Sequence, residues 1–239
     1  MTKPFQQWTV LPHGKLSQVD EGILTVVGEI HMPLMDLPRR MTVVRLADSR
    51  LVIYSAIALD ADEMDALEAY GRPAYLVVPS DKHRLDAKIW KDRYPEIRVV
   101  TPEGAWAKVD EIVEVDTADP RFDDPGVQFM TVAGTRGREA ALLVQTPSGT
   151  TLVLNDVVGN IRDAAGFGGW LLQIAGFAGP EAQIPKVVKM AIIEDKNALR
   201  AQLLQWSEIE SLRCILVSHG SAIDENPRQA LRDLAGSLA

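Results

Sequence analysis

The chain has 239 residues, 46% hydrophobic and 24% charged, with a formal net charge of −8. That composition belongs to a globular protein large enough to bury its core without disulfide or metal staples. The acidic balance excludes a general nucleic-acid binder, because no basic stripe is present to neutralise phosphates, and a single cysteine, Cys214, excludes an internal disulfide framework and fits a reducing compartment.

The N-terminal stretch MTKPFQQWTVLPHGKL lacks the apolar core of roughly 7–15 residues that a signal peptide needs, so a cytoplasmic location is expected. The longest apolar region, 164–178, is broken by glycines and Gln173 and is too short and weak to span a bilayer. In chain order, Trp8–Leu11 and Ile23–Val27 read as short strands. Met41–Ile57 reads as two strands split by the polar turn Ala47-Asp48-Ser49-Arg50. A helix is predicted over Asp60–Tyr70, with acids in its first turn, Gly71 at its end and Pro73 beyond. Then come a strand at Tyr75–Val78, a helix at Leu85–Arg93, a strand at Arg98–Val100, a turn or short helix at Pro102–Lys108 and a strand at Glu111–Val115.

The second half opens with β segments again, at Val127–Val132 and Arg138–Gln145. Pro147-Ser148-Gly149-Thr150 is a turn into Thr151–Leu154. Residues 159–180 read as a glycine-rich loop with a short amphipathic helix bearing Phe167, Trp170, Leu171, Leu172, Ile174 and Phe177. It either folds over the core as a lid or offers a partner surface, with a homodimer through 164–178 as one outcome. Lys186–Trp206 is helical by periodicity, Arg213–Val217 is a strand, and Pro227–Leu238 is a closing helix with proline in its first turn. The regular alternation predicts an α/β fold, and both halves run β-rich and then α/β, as one domain of two β/α layers.

Polar residues gather where apolar runs stop. Val77-Val78-Pro79 leads to Ser80-Asp81-Lys82-His83, Leu152-Val153-Leu154 leads to Asn155-Asp156, and Ile215-Leu216-Val217 leads to Ser218-His219-Gly220. In α/β sheets the carboxyl ends of strands are where ligand sites assemble. Two imidazoles and one to three carboxylates at one rim would form a nitrogen and oxygen site suited to zinc, iron or manganese. Each piece alone has a plainer reading: Asp156 as a turn or cap residue, His83 as a surface residue of an early helix turn, His219 as a satisfied loop histidine.

The order LVVPSDKHRLD, LLVQTPSGTTLVLNDVVGN, CILVSHG resembles the metallo-β-lactamase fold superfamily, and more closely a little-characterised bacterial branch of it. The resemblance spans roughly Trp8 to Ile223 and implies a four-layer αββα sandwich with a metal site between the inner edges of its two sheets. The superfamily's motif Thr-His-x-His-x-Asp-His, laid over Ser80–Asp86, leaves His83 as one histidine, puts Asp81 and Asp86 at two histidine positions and Leu85 at the aspartate. The next ligand turn, Gly-His-x-x-Gly, matches Gly134-Thr135-Arg136-Gly137, with Thr135 in the ligand's place. The bridging aspartate matches Asp156 and the last histidine matches His219. The resemblance therefore implies His83, Asp156 and His219 as ligands, joined by Asp86 or Asp81, in a reduced, mononuclear or empty site. Two functions are open: a metal-dependent hydrolase acting on a small-molecule substrate, or a non-catalytic binding protein on the same fold. No Gly-x-Gly-x-x-Gly, P-loop or Gly-x-Ser-x-Gly motif points elsewhere.

Overall fold

The computed structural model describes residues 3–32, 35–162 and 166–239. Six strands form the first sheet in sequential order: β1 (Ser17–Asp20), β2 (Ile23–Met32), β3 (Met35–Arg45), β4 (Arg50–Tyr54), β5 (Arg72–Val77) and β6 (Arg98–Val100). The first four run antiparallel and β4, β5 and β6 run parallel. The parallel pairs need crossovers, and helices α1 (Ala61–Tyr70) and α2 (Ala87–Arg93) supply them. A second sheet is ordered β10-β9-β8-β7, from β7 (Val127–Thr131), β8 (Ala140–Thr146), β9 (Gly149–Asn160) and β10 (Leu212–Gly220).

Period-two alternation sorts the side chains into layers. Val43, Leu51, Ile53, Leu76 and Val99 face a cluster built with α1, α2 and α3 (Trp106–Asp110). Their neighbours Val44, Val52, Tyr54, Val77 and Val100 face the other way, onto Leu142, Val144, Val153 and Leu216 of the second sheet. Leu152, Leu154, Ile215 and Val217 then pack outward on α5 (Lys186–Ala191), α6 (Lys196–Ser207) and α7 (Pro227–Gly236). The result is the αββα sandwich. Arg40 of β3 ties the sheets together: buried, it donates from Nε to the Val217 carbonyl at 3.2 Å and from a terminal nitrogen to the Gly220 carbonyl at 2.8 Å.

Capping chemistry sets several boundaries. Asp60 accepts from the Glu63 amide at 3.0 Å and starts α1. Asp195 accepts from the amides of Asn197 and Ala198 and starts α6. That cap splits the expected helix 186–206 in two, and the Glu194 amide donates to the Gly134 carbonyl at 2.8 Å in the break. Gly134, at φ +75°, has no room for a Cβ beside the Asp195 carbonyl, so the close approach requires glycine.

Four strand expectations change. Trp8–Leu11 forms no strand; the Trp8 indole donates to the Leu59 carbonyl at 2.9 Å and its ring lies 5.6 Å from Trp90. Glu111–Val115 turns instead of extending, because Asp110 accepts from the Val115 amide at 3.0 Å, and the chain meets β6 only beyond it, in the bridge from Val100 to Thr117. Strands β9 and β10 run past Leu154 and Val217, so Asp156 and His219 lie within strands. Between 159 and 180, a helix α4 (Gly166–Ala175) packs on β3 through Leu172, Phe177 and Leu37; the side chains of Phe167 and Leu171 lie outside the described residues. No helix among the described residues is long and apolar enough to cross a membrane.

Leu216 is fully buried between the sheets, whereas Met190 is 87% exposed. Leu216→Ala should cost about 2–5 kcal/mol in urea unfolding, with Met190→Ala within about 0.5 kcal/mol of the parent.

Candidate metal centre

The pairing of β9 with β10 contains a large slip. Val217 pairs with Leu154, but His219 pairs with Gly159, so four residues of β9 stand opposite the single residue Ser218. The bulged residues, Asn155, Asp156, Val157 and Val158, are all buried. Bulges re-aim side chains, and here the Asp156 carboxylate reaches the edge where both sheets meet. Gly220, at φ +112°, follows the slip with the Asn160 carbonyl where a Cβ would sit.

His83 comes from the first sheet, in the loop after β5. That loop is folded by its own polar groups: the His83 amide donates to the Ser80 carbonyl at 3.2 Å, and Ser80 Oγ accepts from the Lys82 amide at 3.2 Å. His83 Nε2 lies 3.1 Å from Asp156 Oδ1, and its Nδ1 lies 2.8 Å from Ser55 Oγ. His219 Nε2 lies 3.0 Å from the same Asp156 oxygen, and its Nδ1 donates to the Pro38 carbonyl at 2.7 Å. Pro38 lies in the part of β3 that extends beyond its pairing with β4, so its missing N–H leaves no ladder bond unmade on that side. Each imidazole is therefore held at Nδ1 and aimed at one carboxylate through Nε2. The His83 and His219 rings are 5.2 Å apart, and Phe177 meets His219 edge-on at 5.7 Å.

One ligand atom from each of His83, Asp156 and His219 lies within 4.8 Å of the other two. Metal–ligand bonds of about 2.0–2.2 Å fit inside such a cluster after a small widening. Two imidazole nitrogens and one carboxylate oxygen, each imidazole anchored at its far nitrogen, suit zinc or iron with positions left open. The donor set fits the metal that the sequence resemblance implied.

The other two acids predicted for the site have different partners. Asp86 is buried, accepts from the Ala58 amide at 3.0 Å and pairs with buried Arg39. Asp81 pairs with Arg138 and lies 3.7 Å from the Lys82 ammonium. Thr135, at the expected ligand turn, is buried and donates to the Val132 carbonyl at 2.6 Å, which closes that turn.

Sequence reasoning missed three residues that build this centre, Ser55, Pro38 and Glu139, and gave Asn155 no role beyond its place at a strand end. Glu139 is completely buried; it accepts from Asn155 Nδ2 at 3.0 Å and from the Asp156 amide at 3.3 Å, which braces the bulge from behind. Burial, and then the Asp156 charge, push its carboxyl well above the usual carboxylate range. An acid set directly before the apolar run Ala140–Val144 was its one visible signal.

For Asp156, burial alone would raise its pKa, but the His83 charge and the hydrogen bonds to both imidazoles prevail and hold it well below the ordinary range. For His219, burial opposes charge, but Asp156 prevails and raises it above the usual histidine value. The Pro38 carbonyl can only accept, so His219 Nδ1 carries a proton and a bound metal must displace the second proton at Nε2.

The centre is the floor of a cavity of about 570 Å³. No protein-family model matches the sequence, and neither does any curated protein. Solved structures do. The metallo-β-lactamase FIM-1 from Pseudomonas aeruginosa in its mono-zinc form aligns with a TM-score of 0.63 at 10% identity, over 95% of this chain and 96% of its own. The DIM-1 metallo-β-lactamase exposed to ceftazidime gives 0.63 at 12%, over 97% and 100%. A metallo-β-lactamase from Hirschia baltica gives 0.59 at 6%, over 94% and 98%. Identities this low speak for the fold.

In protein stripped of metal, the raised His219 pKa contributes stability that is full below about pH 6.5, the unfolded value, and is lost as pH rises through the folded value. Glu139 pulls the same way, since its folded pKa is also raised. Melting of chelator-treated protein should fall as pH climbs from neutral, and His219→Gln and Glu139→Gln should each flatten that fall. A slope unchanged in both variants would contradict the assignment.

Proposed function

From a chain with the metallo-β-lactamase fold, we propose that the protein is a metal-dependent hydrolase with one divalent ion, held by Nε2 of His83, Nε2 of His219 and the Asp156 carboxylate. The convergence of those three donors within 4.8 Å, at the floor of a cavity, is the observation that supports this reading. When bound, the ion supplies Lewis acidity toward a carbonyl or phosphoryl oxygen and toward water. Asp156 anchors the site and neutralises part of the ionic charge. Ser55 and the Pro38 carbonyl orient the imidazoles, and Glu139 with Asn155 holds the bulge that presents Asp156.

The positions of the remaining acids support a one-ion site. Asp86 and Asp81 are engaged by Arg39 and Arg138, and Leu85 stands where the superfamily motif has its aspartate. The same facts support a second reading, a non-catalytic binding protein. Two imidazoles and a carboxylate that satisfy one another form a closed cluster without an ion.

Metal content separates the two. The hydrolase reading expects near-stoichiometric zinc, iron or manganese in protein purified without chelator, by plasma mass spectrometry. Asp156→Asn and His219→Ala should fall below about 0.2 ion per chain, and Asp81→Asn should stay at the parent's level. A parent that holds no ion, and whose melting is unmoved by added zinc, iron or manganese, belongs to the second reading.

A further inference from the structure

The cavity above the centre joins two surfaces of different chemistry. One wall comes from the end of α4 and from α5, where Leu172, Phe177, Val187, Val188, Ala191 and Ile192 line it. Val187 is 45% exposed and Ala191 is also exposed, so this wall keeps apolar surface in contact with water. Such surface gains free energy when an apolar body covers it. A volume of about 570 Å³ lies within the roughly 300–1,000 Å³ of sites that enclose small organic ligands.

The loop side is cationic. Lys82, Arg84 and Arg138 line the cavity against the carboxylates of Asp81 and Asp156, in a chain whose net charge is −8. Asp156 is taken up by the two imidazoles, and Arg84 reaches the Lys108 carbonyl and Glu111. Arg138 and Lys82 share the single carboxylate of Asp81, so that corner holds one positive charge in excess. The Lys82 side chain is 39% exposed, and an ammonium offers three donors.

We infer that the cavity takes an anionic amphiphile, with an acyl-type apolar body against the α4–α5 wall and its anionic head at Lys82 and Arg138. The linkage between body and head then lies over His83, Asp156 and His219. This deepens the hydrolase reading and rests on it for the ligand's fate. Recognition itself needs only the cavity, so it is tested with and without metal.

The probe is sodium decanoate below its micelle concentration, titrated calorimetrically into untreated and chelator-treated protein beside 1-decanol and decyltrimethylammonium. Saturable 1:1 binding of decanoate to both forms is expected, with decanol about tenfold weaker and the cation weaker still, as loss of a charge-assisted contact dictates. Lys82→Met should lower decanoate to the level of decanol and leave decanol unchanged. Ala191→Phe, at an exposed position, should weaken both at least tenfold with melting unchanged. Decanol binding as tightly as decanoate, equal weakening of both by Lys82→Met, or no saturable binding to either form overturns the inference. A protein that holds no metal yet binds decanoate overturns the hydrolase reading alone.

Discussion

Four residues of β9 stand opposite one residue of β10, and the centre depends on that mismatch. An unbroken parallel ladder would carry Asn155 and Asp156 along the strand in ordinary alternation, one toward each face. The slip instead brings the Asp156 carboxylate to an edge where a histidine from each sheet meets it. Holding four bulged residues in the interior favours pairing of their polar groups, and the pairing is partial, since Asn155 Oδ1 and Glu139 Oε1 are buried without a hydrogen-bond partner. Glu139 accepts from the Asp156 amide and the Asn155 side chain, and Asn155 donates onward to Ser80 Oγ at 3.2 Å. Ser80 in turn shapes the loop that carries His83. The same short network thus presents Asp156 and positions one of its partners.

Charge allocation narrows the chemistry. Of the acids near the centre, Asp86 is consumed by Arg39, Asp81 is shared by Arg138 and Lys82, and Glu139 is kept toward its neutral form by burial beside Asp156. Asp156 alone keeps its charge aimed at both imidazoles. Two histidines and one buried carboxylate are thus the donors left facing one another, while the arginines occupy the neighbouring acids.

The layers were legible because they rest on local periodicity. Alternation in Met41–Ile57 and the helix Asp60–Tyr70 with its aspartate cap needed no distant partner. His83, Asp156 and His219 were legible as polar residues following apolar runs, although two of them turn out to lie inside strands. What could not be read depends on partners far along the chain. Arg39 and Asp86 are 47 residues apart, and Arg138 and Asp81 are 57 apart. Motif spacing therefore placed both acids among the ligands. The bulge was equally hidden: Val157 and Val158 continue an apolar run, and only the register of β10 shows that pairing has slipped. The break in the helix 186–206 had a local signal in Asp195, but Gly134, whose carbonyl fills that break, lies some 60 residues earlier in the sequence.

Arg40 spans the two sheets with a single guanidinium, bonded to the carbonyls of Val217 and Gly220 and to Thr25 Oγ1. Those carbonyls flank His219, and the guanidinium is buried, so withdrawing it would strand both acceptors and a charge in the interior. Partial opening at this seam is consequently expensive, and the sheets part there only when much of the sandwich does. On the hydrogen-exchange timescale, amides around His219 then belong with the slowest-exchanging class, set by global unfolding. The floor beneath the cavity thus moves only with the whole fold.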